Sequence, residues 1–281
     1  PVRLNKRVYA CDHVITTGAV VLHYFGGYGG GRKSIVPGLA STQTIAHNHA
    51  QNLDPHEDRL NPAVRIGELD GNPVAEDMLE AARFMKVDAV VNTVLNRHGE
   101  IAGLFAGELD TAHRKAAAFA HRLYAVSIDQ PADLVVASSG TAKNFVQSHK
   151  ALFNAYQALR PGGRIVLLTR TPEGLGNERF AGWLRLRTRE AIIAELRKNA
   201  EINGQTALST VEKGPSCIVL SQMSAEEVGL LGARKAASLD VALEQARADL
   251  ENTGVTEPTY YVMPAASYTV PFPAELRQTE V

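Results

Sequence analysis

The sequence predicts an α/β fold of two α/β domains, each with a largely parallel sheet wrapped by helices. Short apolar runs of strand length alternate along the chain with segments of helical spacing, which is the pattern of βαβ units. Turn-forming glycine and proline residues separate the segments. The chain has 281 residues, 45% of them apolar, so it can bury the cores of two domains of typical size.

The first predicted domain covers residues 1–125. A β-rich stretch at residues 14–25 runs into a glycine-rich loop, and residues 41–50 then form a helix with a serine or threonine cap. The later elements are a helix, a buried strand, a return strand across a turn, and an alanine-rich helix, at residues 73–86, 87–95, 101–106 and 110–123.

The second predicted domain covers residues 126–281. Its apolar strands are expected at residues 132–137, 164–169, 216–220 and 259–263. The helices between them are expected at residues 144–159, 188–199 and 239–250. We expect Pro161, Gly162 and Gly163 to separate the first of these helices from the strand that follows it. The alternation predicts a parallel sheet covered by helices.

Composition narrows the class of partner. The formal net charge is −1 and the basic residues are spread along the chain, so a nucleic-acid or membrane-surface partner is not expected. No apolar run approaches the roughly 20 residues that span a bilayer. Cys11 and Cys217 lie far apart and match no metal or redox motif. We therefore expect a cytoplasmic protein with a small-molecule partner. The sequence leaves the oligomeric state open.

The most informative segment runs from His23 to Ser34 and contains one histidine, five glycines and an arginine-lysine pair. So many glycines favour a loop that approaches a ligand closely. Gly26 to Gly31 has the glycine spacing of a phosphate-binding P-loop, but Arg32 stands where that motif needs lysine. A phosphate cradle built from backbone amides stays open. Alternatively, Lys33 is placed to carry a covalently held cofactor.

Histidines stand on both sides of this loop. His23 precedes it, and His47 and His49 follow it on the predicted helix, where a spacing of two points them to different faces. A pair so arranged does not bind one metal together, but a single imidazole can complete a site whose other ligands belong to a cofactor, with nickel, zinc or copper. We interpret His47, His98 and His113 as surface residues.

Several motifs together resemble one known family. They are His23, the run Gly29-Gly30-Gly31-Arg32-Lys33-Ser34, Pro37-Gly38, Asn48-His49, Ser138-Ser139-Gly140 and Gln147-Ser148-His149-Lys150-Ala151-Leu152. In residue type and interval they are similar to the signature of the nickel-pincer lactate racemases. The resemblance implies an active site in the cleft between the two domains and a nickel-pincer nucleotide, pyridinium-3-thioamide-5-thiocarboxylic acid mononucleotide, attached to Lys33. Cofactor-making enzymes would then be partners.

The same resemblance implies a role for each matching residue. Lys33 would bind the cofactor together with its neighbours Gly29, Gly30, Gly31, Arg32 and Ser34. His49 would be the nickel ligand and His23 the catalytic acid and base. Gln147 and Lys150 would contact the substrate, a lactate-like 2-hydroxy acid whose α-hydrogen leaves and returns as hydride. The family's second catalytic histidine and an arginine would lie before Pro1.

Two other classes of function remain open at this stage. The glycine-rich loop is compatible with an enzyme that binds a nucleotide or another phosphate. A non-catalytic homologue that binds a hydroxy acid would also carry these motifs. The first alternative predicts magnesium-dependent nucleotide binding that requires Lys33, and the second predicts substrate binding that is indifferent to Lys33.

Overall fold

The computed structural model describes residues 1–274, and the chain divides into two compact units. The first unit contains Pro1–Tyr124 together with Ile193–Ile202. The second contains Ala125–Ile192 and the chain from Asn203 onward. Each unit has its own sheets and its own buried apolar cluster, and each is described separately below.

The first unit is built on a three-stranded sheet in the order β1-β4-β5. Strands β1 and β4 are parallel, and β4 and β5 form the antiparallel hairpin predicted from the turn at residues 96–99. The two short strands β2 and β3 pair separately. The elements of this unit are α1 (Lys6–Tyr9), β1 (Ile15–Ala19), β2 (Leu22–His23), β3 (Gly27–Tyr28), α2 (Thr42–Ala50), α3 (Pro73–Ala82), β4 (Ala89–Leu95), β5 (Ile101–Gly107) and α4 (Leu109–Tyr124).

Local capping residues define the helices of the first unit. Ser41 precedes α2, and its hydroxyl accepts a hydrogen bond from the Thr44 amide, as the sequence predicts. Asn72 caps α3 in the same way, with Pro73 in the first turn. Helix α3 is shorter than predicted. The amides of residues 83–85 each donate to the carbonyl three residues earlier, so the chain here forms a tighter turn than an α-helix. That tighter turn buries Met85.

The second unit contains a five-stranded sheet in the order β10-β9-β8-β7-β11, in which every neighbouring pair is parallel. The predicted parallel sheet wrapped by helices is therefore confirmed. The remaining elements of the chain are β6 (Ala125–Ile128), β7 (Ala132–Ser138), α5 (Phe145–Gln157), β8 (Leu159–Leu168), α6 (Glu178–Leu184), α7 (Arg189–Lys198), α8 (Ile202–Lys213), β9 (Cys217–Leu220), α9 (Ala225–Leu230), β10 (Arg234–Lys235), α10 (Leu239–Glu251), β11 (Tyr260–Met263) and β12 (Val270–Pro273).

One predicted boundary in this unit is wrong. Pro161, Gly162 and Gly163 do not precede β8 but lie within it. Leu159 already pairs with Ala132 of β7, and the register then shifts before Leu134 pairs with Arg164. A bulge in the ladder therefore accommodates turn-forming residues that the sequence pattern assigns to a loop.

Helix α8 is a second departure, since no helix is predicted there. Its inward face carries polar residues where a helical pattern needs apolar ones: Gln205, Thr206, Ser209 and Thr210 are all buried. A hydrophobic period of 3.6 residues is therefore weak in this segment. Within residues 1–274 no helix combines the length and the apolar character needed to cross a membrane.

Helices α5 and α8 enclose a buried polar cluster formed by His149, Ser209 and Lys213. The Ser209 hydroxyl lies 3.1 Å from His149 Nε2 and 3.0 Å from Lys213 Nζ. The Lys213 ammonium also lies over the rings of Phe153 and Tyr156. Burial lowers the pKa of His149 to about 3, and the charge of Lys213 acts in the same direction. His149 is therefore neutral in the folded chain at physiological pH.

We predict that His149 makes the second unit acid-sensitive. The folded-state pKa lies below the unfolded value of about 6.5, so the stabilisation is complete above that pH and is lost as the pH falls toward the folded value. His149→Gln should flatten the pH dependence of the free energy of unfolding below pH 6.5, by up to about 1.4 kcal/mol per pH unit. Urea unfolding followed by the fluorescence of Trp183, the single tryptophan, measures it.

The matched control is His98→Gln, because His98 is exposed on the turn between β4 and β5. It should leave the pH dependence as in the parent chain. Identical slopes for the parent chain and His149→Gln would contradict the burial of a neutral His149.

Candidate functional site

The glycine segment adopts a shape that only glycine permits at two consecutive positions. Gly30 and Gly31 have φ angles of +71° and +51°, a region that side chains with a β-carbon rarely enter. The chain then forms a short 3-10 turn from Gly31 to Ser34. A P-loop leads into a long helix at this point, so the segment lacks the helix N-terminus on which phosphate binding in that motif depends.

His113 holds the glycine segment from below. It lies on α4 with no exposed surface, so its interpretation as a surface residue is wrong. Its Nε2 donates a hydrogen bond to the Gly29 carbonyl at 2.9 Å, and its Nδ1 lies 3.3 Å from Arg32 Nη2. A β-carbon on Gly31 would approach the imidazole to 2.4 Å. The loop and this histidine therefore fit each other closely.

Arg32 points into the first unit rather than away from it. Its side chain is 2% exposed and pairs with Asp110 at 2.7 Å, and Nη1 donates to the Ala75 carbonyl. Asp110 also accepts a bond from Arg114. The Arg32 guanidinium is thus engaged in packing α4 against the loop, and its predicted contact with a cofactor stays a prediction. Ser34 donates to the Thr17 carbonyl at 3.3 Å.

The structure brings His23, Lys33 and His49 together around Phe25 and Gly26. The Phe25 ring lies 6.0 Å from the His23 ring and 5.8 Å from the His49 ring, the latter edge-on. A β-carbon on Gly26 would lie 3.7 Å from Lys33 Cδ, so the Lys33 side chain runs across this glycine. The Lys33 charge in turn lowers the pKa of His49.

His49 is a buried, neutral imidazole with a defined tautomer. Burial lowers its pKa to about 4. The hydrogen bond to the Ile45 carbonyl acts in the opposite direction and raises the pKa, whereas the charge of Lys33 lowers it further. Nδ1 donates to the Ile45 carbonyl at 2.8 Å, so Nε2 carries the lone pair. This is the form of histidine that binds a metal ion, with the second nitrogen held by a backbone carbonyl.

His23 is oriented by the loop that follows it. Its Nδ1 accepts hydrogen bonds from the Phe25 and Gly26 amides, at 3.1 and 3.3 Å. The Tyr24 ring stacks on the imidazole at 5.0 Å with nearly parallel planes. These contacts fix the ring plane and direct Nε2 away from the backbone of the loop.

Gln147 and Lys150 lie on one face of α5 in the second unit. Asn144 caps this helix, accepting a bond from the Gln147 amide, and Gln147 Oε1 accepts a bond from the Lys143 amide at 3.0 Å. Gln147 is exposed and Lys150 is partly buried. Burial lowers the pKa of Lys150. The helix begins just after the carboxyl end of β7, where open α/β sheets bind ligands.

Buried hydroxyls hold this end of the sheet in place. Ser139 Oγ donates to Thr169 Oγ1 at 2.8 Å, and Ser148 Oγ lies 2.7 Å from the same oxygen. Ser148 also reaches Ser139 and the Asn144 carbonyl. The turn after β7, the end of β8 and the first turn of α5 are thereby tied together.

The segment at residues 264–269 also contributes to this end of the sheet, and sequence analysis did not single it out. The Ala266 amide donates to the Ser138 carbonyl and Ser267 Oγ to the Ser139 carbonyl. The Tyr268 ring lies 5.9 Å from Lys150 Nζ. The role of His113 was missed because a histidine in an alanine-rich helix was interpreted as a surface residue, although it is buried. Phe25 was missed because an aromatic residue at the end of a β-rich stretch has the pattern of an ordinary core residue.

The described residues 1–274 contain no group of three histidine, cysteine, aspartate or glutamate side chains placed to hold a metal ion. Within them, the candidate site offers a metal the neutral imidazole of His49, which lies beside Lys33.

The chain is similar to known proteins in both sequence and structure. Residues 1–60, which contain His23, Lys33 and His49, match the family model of the lactate racemase N-terminal domain. A lactate racemase of Thermoanaerobacterium thermosaccharolyticum is 34% identical over 185 residues, 65% of this chain and 42% of that protein. A lactate racemase of Lactiplantibacillus plantarum is 34% identical over 181 residues, which are 63% of this chain and 41% of that protein. The aligned segments thus span less than half the length of these curated relatives.

The structural matches agree. The lactate racemase apoprotein from T. thermosaccharolyticum matches with a TM-score of 0.85 and 26% identity, covering 96% of this chain and 65% of that one. A protein from Thermotoga maritima matches with a TM-score of 0.70 and 16% identity, covering 97% and 69%. The second match supports the fold alone.

We predict that Gly31→Ala destabilises the first unit by about 2 to 4 kcal/mol, because it adds backbone strain at positive φ to a clash with the His113 ring. In a His113→Ala background the same change should cost only about 1 to 2 kcal/mol, since the strain remains and the clash is gone. Urea unfolding followed by circular dichroism gives the four free energies of the cycle. Equal costs in both backgrounds would contradict the close fit of His113 under the loop.

Proposed function

We propose, from the premise that this chain is a homologue of the lactate racemases over the length it shares with them, that it acts in the racemisation of a lactate-like 2-hydroxy acid. The observation that carries the proposal is the convergence of His23, Lys33 and His49 on Phe25 and Gly26. An acid-base group, an amine for covalent attachment and a neutral metal ligand then stand within one small region of the first unit.

The residues present fit a nickel-pincer nucleotide. Lys33 would hold it covalently through the side-chain nitrogen, and the Nε2 lone pair of His49 would ligate its nickel. His49 is neutral because it is buried, so metal binding has no proton to displace. When bound, the group would supply a hydride acceptor for the α-hydrogen of the substrate.

His23 would move the proton of the substrate hydroxyl. Removing hydride from the α-carbon leaves a ketone only if the hydroxyl proton leaves as well, and an imidazole exchanges protons near neutral pH. The stacked Tyr24 ring and the two amides at Nδ1 restrict the imidazole to one plane. Because Nδ1 accepts both amide bonds, the neutral ring carries its proton on Nε2 and would give that proton to the carbonyl oxygen as the α-hydrogen returns. Taking the hydroxyl proton would require Nε2 to be the deprotonated nitrogen, with the bonds of the two amides to Nδ1 given up.

Lys150 would bind the carboxylate of the substrate. Its ammonium is partly buried, and in the part of the chain that the structure describes no carboxylate forms an ion pair with it; burial alone lowers its pKa. A desolvated ammonium without a carboxylate partner favours an incoming anion. Gln147, one turn earlier, would hydrogen-bond the substrate hydroxyl or carbonyl oxygen.

Lys33 is the sharpest test of the cofactor. Protein co-expressed with cofactor-making enzymes should contain nickel and show a mass increase on the peptide that contains Lys33. Lys33→Arg should abolish the mass increase, whereas His49→Gln should retain it and lower the nickel content at least tenfold. Lys86→Arg, at an exposed lysine, is the control and should change neither. Parent protein with no nickel and no added mass would sink the proposal.

Lys150 tests the substrate site without the cofactor. Lys150→Met should weaken the binding of lactate by about 10- to 100-fold, the loss expected for a charge-assisted hydrogen bond of about 1.5 to 3 kcal/mol. Lys143→Met removes an exposed charge seven residues earlier, just before α5, and should change the affinity less than twofold. Isothermal titration calorimetry gives both values. Equal affinities for the two variants would rule out Lys150 as the carboxylate ligand.

A further inference from the structure

Tyr268 stands in an unusual relation to Lys150. Its ring lies 5.9 Å from the Lys150 ammonium, within the range of a cation–π contact. Among residues 1–274, no carboxylate forms an ion pair with this ammonium, and the group that the structure places against it is the Tyr268 ring. The partner of this half-buried cation is therefore an aromatic face.

The position of Tyr268 does not depend on Lys150. The segment that carries it is fastened to the carboxyl end of β7 by the Ala266 amide on the Ser138 carbonyl, at 3.1 Å, and by Ser267 Oγ on the Ser139 carbonyl, at 3.2 Å. Asn154 of α5 adds a bond of 2.7 Å to the Ala266 carbonyl. Hydrogen bonds to both β7 and α5 therefore hold the backbone of the segment from which the ring projects.

The ring is not needed to fill the core, because Tyr268 is 55% exposed. An aromatic face attracts an ammonium without accepting its N–H groups as an oxygen acceptor would. A carboxylate at the same place would neutralise the cation and compete with an incoming anion. An aromatic partner restrains the flexible lysine stem and leaves its donors available.

We propose that Tyr268 is a positioning residue, which holds the Lys150 ammonium at the carboxyl end of β7 so that it receives the carboxylate of a 2-hydroxy acid. The identity of that anion rests on the proposed function. The contact between the ring and the ammonium does not, and the two parts can be tested separately.

The contact is tested by nuclear magnetic resonance on the full chain with isotope-labelled lysine, the Lys150 signals being assigned with Lys150→Arg. Ring current should shift the Lys150 ε-protons upfield of those of the exposed lysines. Tyr268→Phe should retain the shift, because it keeps the ring, and Tyr268→Leu should lose it. An unshifted Lys150 in the parent chain overturns the proposal.

The role is tested by titrating the same samples with lactate. Tyr268→Leu should weaken lactate binding about three- to tenfold, and Tyr268→Phe should stay within twofold of the parent chain. Unfolding midpoints from Trp183 fluorescence check that both variants are folded. If Tyr268→Leu loses the ring-current shift but binds lactate as tightly as the parent chain, the positioning role is overturned. A shifted Lys150 in a parent chain that does not respond to lactate refutes the proposed substrate, and with it the role, while leaving the contact in place.

Discussion

The packing of α4 against the glycine segment is the constraint on which the candidate site in the first unit depends. Asp110 and His113 of this helix reach the loop, the first through Arg32 and the second through the Gly29 carbonyl. Arg32 is almost fully buried, so removing Asp110 would leave an uncompensated charge, a loss of about 3 to 5 kcal/mol. Because α4 also packs on β4 and β5, the sheet fixes the shape of the loop.

Two buried histidines of the first unit are held in opposite tautomers. His113 and His49 are both neutral, each with a pKa lowered by burial to about 4. His113 is protonated on Nε2, and both of its nitrogens hydrogen-bond to the loop, Nε2 to the Gly29 carbonyl and Nδ1 to Arg32. His49 is protonated on Nδ1, toward its own helix. The opposite tautomers make one imidazole a structural support and leave the other with the nitrogen that suits a metal.

The second unit positions its predicted site residues by a different means. Hydroxyls of Ser139, Ser148 and Thr169 join two strand ends to the start of α5, and this sets the direction in which Gln147 and Lys150 leave the helix. Such bonds are short-ranged and directional. The same end of the sheet also anchors the segment of Tyr268, so one small polar cluster organises groups that are more than a hundred residues apart in the chain.

Local patterns in the sequence determined much of this molecule: the Ser41 cap of α2, the hairpin after residue 95, the parallel strands of the second unit and the segment that contains His23, Lys33 and His49. Each depends on residues close in the chain, where spacing and turn chemistry suffice. Tertiary structure alone decided that Arg32 and His113 are buried, that Pro161 to Gly163 lie inside a strand, and that Tyr268 faces Lys150. Those outcomes depend on partners distant in sequence. The burial of a charged side chain or a ring is decided only when the fold brings its partner to it.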